Sequence, residues 1–198
     1  LNRYIFYGGL NFINTELNLE NILIKNSQSE DAINLVDSTA ILKNISFENI
    51  ESDAVDIDFS LVKFSKIICS RINNDCLDIS GSKIVGTDLS VDKSEDKGLS
   101  VGENSEVTIK NLKVENSKIG FAIKDGSSVY LENVNSIKNE YDIVIFNKKQ
   151  EFDIPSLEVK NFLNKSPKML QSKSSKLIID DVIFLGKHNN KDINSIIY

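Results

Sequence analysis

Asp53 and Asp75, and again Asp56 and Asp78, are pairs of aspartates separated by 22 residues. The stretch SDAVDIDFS, Ser52 to Ser60, alternates Val55, Ile57 and Phe59 with Asp56, Asp58 and Ser60. It therefore reads as a strand carrying two carboxylates on one face. If the 22-residue units stack, equivalent carboxylates lie about 5 Å apart and repel. Full hydration, a shared proton or an intervening cation each make such a stack tolerable. A cation held by hard oxygen donors from several strands would be Ca²⁺. A carboxyl pair sharing a proton suits acid–base work on a glycosidic bond, retaining at about 5 Å and inverting when wider. Without a ligand, Asp31, Asp53 and Asp75 are turn residues hydrogen-bonding their own backbone, and the rest is a wet sheet face.

The elements that must position these side chains follow from the period. Ile33, Val55, Leu77, Leu99, Phe121 and Ile143 recur every 22 residues, and so do Leu35, Ile57, Ile79, Val101, Ile123 and Ile145. A second set of short alternating segments follows them, among them LENILIKN, LKNISFEN, FSKIICSR, IKNLKVEN and IDDVIFLG. Two or three short strands per repeat, in strict phase, describe one coil of a parallel β-helix. The expected fold is an all-β, right-handed parallel β-helix of about eight coils, its hand following the crossover rule for parallel strands. At ~4.8 Å per coil the rod is roughly 35–40 Å long. Regular coils are expected over about 10–146, an irregular insertion over 147–156, the last strands over 157–185, and an irregular tail over 186–198 that frays or caps the rod. Asn21, Asn44, Asn111, Asn133 and Asn161, with Lys66, Asp88 and Asp181 in the same slot, read as a turn ladder of stacked side chains.

Composition narrows the partners. The 198 residues carry a formal net charge of −6, which speaks against nucleic acid and against an anionic membrane surface. No apolar run approaches the ~20 residues of a membrane span, so no insertion is expected. With 40% hydrophobic and 26% charged residues the chain is globular in character. It opens in mid-pattern, LNRYIFYGGLNFIN, which reads as a piece of something longer, with parent chain expected at the rod ends. Cys69 is expected to be a small buried apolar side chain, and Cys76 replaces Ala54 of the preceding repeat; nothing in the spacing demands a disulfide.

Phase also sorts the surface. One outward column reads Asn34, Asp56, Asp78, Ser100, Ala122, Val144, and the next reads Val36, Asp58, Ser80, Gly102, Lys124, Phe146. The turn column before the strand reads Asp31, Asp53, Asp75, Lys97, Ile119, Tyr141. The strip is polar over coils two to five and turns apolar at Ala122, Val144 and Phe146, where cover by another segment or a neighbouring domain is expected. Aromatic platforms for sugar are few; Tyr130 and Tyr141 are the nearest candidates.

At this point the chain resembles the right-handed parallel β-helix superfamily of pectate lyases, polygalacturonases and alginate epimerases. NNDCLDISG (Asn73 to Gly81) and DKGLSVGENS (Asp96 to Ser105) are similar to two consecutive motif coils of polygalacturonases, and FAIKDG (Phe121 to Gly126) sits where their Arg-Ile-Lys segment would come. Cys76 stands in place of the second Asp, Lys97 in place of the His and Ala122 in place of the Arg, so hydrolysis of that type is not expected. Likeness to the calcium-dependent lyases implies Asp53, Asp56, Asp75 and Asp78 as metal ligands, with Lys97 or Lys124 as base, Asp78 in the catalytic set and Glu103 nearby. Such a base needs a depressed pKa, whereas an ordinary ion pair of Lys97 with Asp75 or Asp96 would raise it. A narrower likeness is carried by SEDAIN, SDAVDID, NDCLDISGS, DKGLSVGENS and IGFAIKDGSSV in series. These resemble β-helix modules attached to spore-coat-protein-H-type kinases and other bacterial surface proteins. That resemblance implies a polysaccharide-associated module outside the cytoplasm or at the cell surface. A carbohydrate would then lie along Asp56, Asp58, Ser80, Ser100 and Glu103. A lyase or C5-epimerase and a non-catalytic stalk are the other expectations.

Overall fold

The computed structural model describes residues 8–198. Its strands are β1 (Gly8–Ile13), β2 (Glu16–Lys25), β3 (Asp31–Val36), β4 (Thr39–Ile50), β5 (Asp53–Asp58), β6 (Leu61–Ile72), β7 (Leu77–Ser80), β8 (Lys83–Ser94), β9 (Lys97–Gly102), β10 (Glu106–Glu115), β11 (Ile119–Lys124), β12 (Ser128–Ile137), β13 (Tyr141–Phe146), β14 (Ser156–Phe162), β15 (Met169–Gln171), β16 (Lys176–Ile179) and β17 (Val182–Phe184). A helix, α1 (Asn190–Ile197), follows. Odd-numbered strands from β1 to β15 stack into one parallel sheet, and the even-numbered strands stack into a second. The chain thus passes from sheet to sheet and returns one rung higher, a β-solenoid of about eight turns.

Register confirms the period residue by residue. Val55 pairs with Leu77 and Leu77 with Leu99, one coil per 22 residues. All twelve residues of the two inward columns named above are 0% exposed, so the core is a continuous stack of aliphatic and phenylalanine side chains. Strands β2 to β14 of the even-numbered set are longer because each folds over a corner. Asn21, Asn44, Lys66, Asp88, Asn111, Asn133 and Asn161 all sit at left-handed φ between 52° and 65°, a conformation Asn and Asp adopt more readily than most residues. The expected ladder is present: the Nδ2 of Asn44, Asn133 and Asn161 donates to the Oδ1 of Asn21, Asn111 and Asn133 at 2.8, 3.0 and 2.7 Å.

A second ladder lies inside the rod. The backbone N–H of Ser38, Ser60, Ser82 and Ser105 donates to the hydroxyl of Ser60, Ser82, Ser105 and Ser127, at 2.9 to 3.2 Å. Buried backbone donors at this corner are thereby satisfied where no strand can pair them.

Three expectations need correction. Cys69 and Cys76 are both buried, but they form a disulfide across the corner between β6 and β7. The column of Cys69 holds Phe47 one coil before and Val91 one coil after. Opposite stand Ala54, Cys76 and Gly98, and a Cβ on Gly98 would lie 2.5 Å from Val114. The corner thus keeps a nearly constant filling, large against small, and two middle-sized cysteines meet in it. The tail is not irregular over its whole length, since α1 occupies most of it. Nor does α1 cap the rod end: Ile193 and Ile197 pack on the outer face of β11 and β13, against Ile119, Ala122, Val144 and Phe146. That is the cover the apolar columns called for. The rod ends instead with β17, which turns back antiparallel on β16. The insertion after β13 stretches the local spacing to 28 residues between Ser128 and Ser156.

Candidate functional site

The odd-numbered strands deliver their first residues from a turn and their outward residues from a flat sheet. Asp53 and Asp75 open this sequence of contacts. Asp53 Oδ1 accepts the backbone N–H of Asp75 at 2.7 Å, and Asp75 Oδ1 accepts the backbone N–H of Lys97 at 2.8 Å. These turn aspartates do bond backbone, but that of the next coil rather than their own. Asp31 Oδ2 instead receives the amide of Asn34 at 3.0 Å, and the same amide reaches Asp56 Oδ2 at 3.4 Å.

Between β1 and β7 these side chains line an open groove of about 470 Å³, bordered by Asn11, Glu30, Asp31, Asn34, Asp53, Asp56, Asp58 and Asp78. Among the described residues no lysine or arginine lines it. Burial, reinforced by Asp58, Asp31, Asp78 and Asp53, pushes the Asp56 carboxyl up to about 8. Burial pushes Asp53 up to about 6, against the hydrogen bond it accepts from Asp75. Asp31 and Asp58 are also raised, chiefly by burial. Near neutral pH the groove therefore holds protons as well as charge, which lets it both donate and accept hydrogen bonds. Of the four aspartates expected to bind metal, Asp53, Asp56 and Asp78 face this groove and Asp75 turns away to Lys97. Among the described residues no three His, Cys, Asp or Glu side chains converge in a geometry that holds a metal ion.

Farther along the rod the strip closes. Lys97 is 3% exposed and its ammonium contacts both Asp75, at 3.4 Å, and Asp96. Burial alone would lower its pKa, but Asp75, Tyr198 and Asp96 outweigh it and hold the ammonium above the ordinary lysine range. A base needs the opposite. Lys124 is 9% exposed, and its Nζ donates to Ser100 Oγ at 2.9 Å. Ser100 is 0% exposed, so it is not available as a sugar contact in this state, because Lys124 engages its hydroxyl. Ser80 remains half-buried beside Asp58. Glu103 is held by Lys149 from the insertion, while Asp125 Oδ1 accepts the N–H groups of Lys148 and Lys149 at 2.7 and 2.8 Å.

Neither aromatic expectation places a ring in the groove. Tyr130 is on β12 in the other sheet, and Tyr141 packs near α1. Tyr198 does approach the strip, with Lys97 Nζ 5.2 Å and Lys148 Nζ 4.1 Å from its ring centroid. It comes from the end of α1, 101 residues beyond Lys97, where the 22-residue phase no longer applies.

Compared with protein-family models, curated proteins and solved structures, the chain gives no match.

Proposed function

We propose that the acidic groove between β1 and β7 is the binding surface of a polysaccharide-associated β-helix module, and that its ligand is a neutral or amino sugar chain. The observation that carries this is one groove holding Asp31, Asn34, Asp53, Asp56, Asp58 and Asp78 with no basic side chain lining it among the described residues. Vicinal hydroxyls are matched by carboxylates that accept and by carboxyls and an amide that donate. An ammonium on the sugar gains further from the charge. A uronate chain meets only like charge unless a cation accompanies it. The likeness of SDAVDID, NDCLDISGS and DKGLSVGENS to β-helix modules of bacterial surface proteins supports a polysaccharide partner. The Cys69–Cys76 disulfide supports an oxidising, extracytoplasmic setting.

The test is titration of the protein with neutral gluco-oligosaccharides, chitosan oligosaccharides and oligogalacturonate, without added metal. Binding of the first or second class, lost in Asp56→Ala/Asp78→Ala, is expected. Tighter binding of oligogalacturonate than of both others would overturn the reading. A calcium-dependent lyase or C5-epimerase is the second reading, favoured by Asp53, Asp56 and Asp78 sharing one groove. It predicts a calcium-dependent rise in melting temperature and, for a lyase, a product absorbing in the near ultraviolet; Lys97, held protonated, argues against it as base.

A further inference from the structure

The C-terminal half of the same face gathers ammonium groups instead of carboxylates. Lys97 is neutralised by Asp75 and Asp96. Lys118 comes only within 3.7 Å of Asp96. Lys124 is buried with the Ser100 hydroxyl as its single hydrogen-bond partner among the described residues. Among the described residues it has no ion-pair partner, and a buried ammonium without one costs several kcal/mol unless something negative is brought to it.

To the neighbouring lysines the chain brings the end of α1. Lys118 Nζ donates to the carbonyl of Ile197 at 2.9 Å. Lys97 and Lys148 point at the ring of Tyr198. Helix C-terminal carbonyls carry partial negative charge, and so do aromatic faces. Both groups are stand-ins for an anion. The apolar attachment of α1 is slight, with Ile193 and Ile197 its only buried side chains. At its other end Asn190 Oδ1 accepts the N–H of Asn147 at 3.0 Å.

We infer that Lys118, Lys124 and Lys148 form a second site, for an anionic glycan carrying repeated sulfate or carboxylate groups, and that the end of α1 occupies its Lys118 and Lys148 part in cis. Lys118 and Lys124 stand at the two ends of β11, about 20 Å apart along the strand, and Lys148 follows β13 on the next rung, about 5 Å farther along the rod. That spread suits a chain with repeated charge rather than one small anion. A chain that enters exchanges a carbonyl and a ring for full negative charges and sets α1 free. The inference does not depend on the acidic half binding anything.

Dextran sulfate is the probe, with dextran of matched length and inorganic sulfate as controls. In the wild-type protein, saturating dextran sulfate should raise hydrogen exchange of the α1 amides at least tenfold, and dextran should not. Ile193→Ser/Ile197→Ser, which weakens the strap without adding charge, should bind dextran sulfate at least tenfold more tightly than wild type. Lys118→Ala/Lys148→Ala in that background should abolish the gain. If the strap variant does not fold, Tyr198→Ala, which leaves both isoleucines in place, must shift affinity in the same direction. Unchanged α1 exchange in the wild type overturns the inference, as does a gain that survives loss of the two lysines. Inorganic sulfate that matches dextran sulfate per anionic group overturns the polymer.

Discussion

At the second and third coils the outward columns of β3 and β5 carry Asn34, Asp56, Val36 and Asp58; three rungs beyond Asp56 and Asp58 the same positions on β11 carry Ala122 and Lys124, and the next rung on β13 adds Val144 and Phe146. The inward residues between them barely change, Ile33 and Leu35 against Phe121 and Ile123, all 0% exposed. A solenoid separates the two tasks cleanly. Its core is repeated, so each coil folds on the last whatever its outer face carries. The outer face is then free to change sign along the axis. The N-terminal half is an acid groove in which burial and crowding retain protons. The C-terminal half is apolar and basic, and α1 covers it. Lys97 marks the seam, with a carboxylate from the acidic side in Asp75 and a ring from the covering helix in Tyr198.

Removing the seam should have the largest effect. Lys97→Met leaves Asp75, 3% exposed, with no ammonium in contact, and breaking one partner of a buried pair typically costs 3–5 kcal/mol. Urea unfolding would measure it. A loss under about 1 kcal/mol would mean that Asp75 is neutral in the folded protein, and the two halves would then be joined by packing alone.

One coil corner before the seam, the Cys69–Cys76 bridge fixes the turn that carries Asp75. Cys69→Ala/Cys76→Ala should lower stability by about 2 kcal/mol. It should also weaken whatever binds the acidic groove while leaving α1 exchange unchanged. Equal disturbance of both halves would show that the corner is a shared support rather than a local one.

The acidic half should also differ in its response to pH. Asp56 and Asp53 have folded pKa values near 8 and 6, above the ordinary 3.8. The folded state therefore binds protons more tightly than the unfolded chain. The stability these two groups contribute is full below about pH 4 and is lost progressively as pH rises toward about 8. Melting temperature against pH should slope downward over this window. Asp56→Asn should raise it by a few degrees at the alkaline end and leave it unchanged near pH 4. A flat profile would mean that the groove carboxylates are fully hydrated.

How much of this the sequence announces depends on whether a contact runs along a column or across columns. Val55, Leu77 and Leu99 are visible as core because stacking repeats the same position, and the Asn44–Asn21 ladder is visible for the same reason. The serine ladder obeys that rule too: Ser38, Ser60, Ser82, Ser105 and Ser127 recur at 22 or 23 residues, a signal present in the sequence but masked by its abundance of serine. Cys69 and Cys76 belong to different columns that meet only when the corner closes, so the period is silent about them. Ala122, Val144 and Phe146 show that something covers them without saying what. Ile193 and Ile197 have helical spacing, but one pair in eight residues is too short to establish a period. The burial of Ser100 and Lys124 follows from the fold around them, and no residue count reveals it.

The corner ladder on the far side of the rod supplies the smallest effect and the sharpest control. Asn44 and Asn133 have φ of 52° and 56° and each donates one exposed amide hydrogen bond to the preceding rung. Asn44 lies behind the acidic half and Asn133 behind the strapped half. An alanine at either site gives up that bond and takes a left-handed backbone without a polar side chain, together about 1 kcal/mol. Asn133→Ala also loses the bond its Oδ1 accepts from Asn161, so it should cost somewhat more than Asn44→Ala, and neither should alter pH slope or α1 exchange. If Asn133→Ala alone loosened α1, the halves would differ through the whole cross-section of the rod, and the division of labour between a constant core and a variable face would fail.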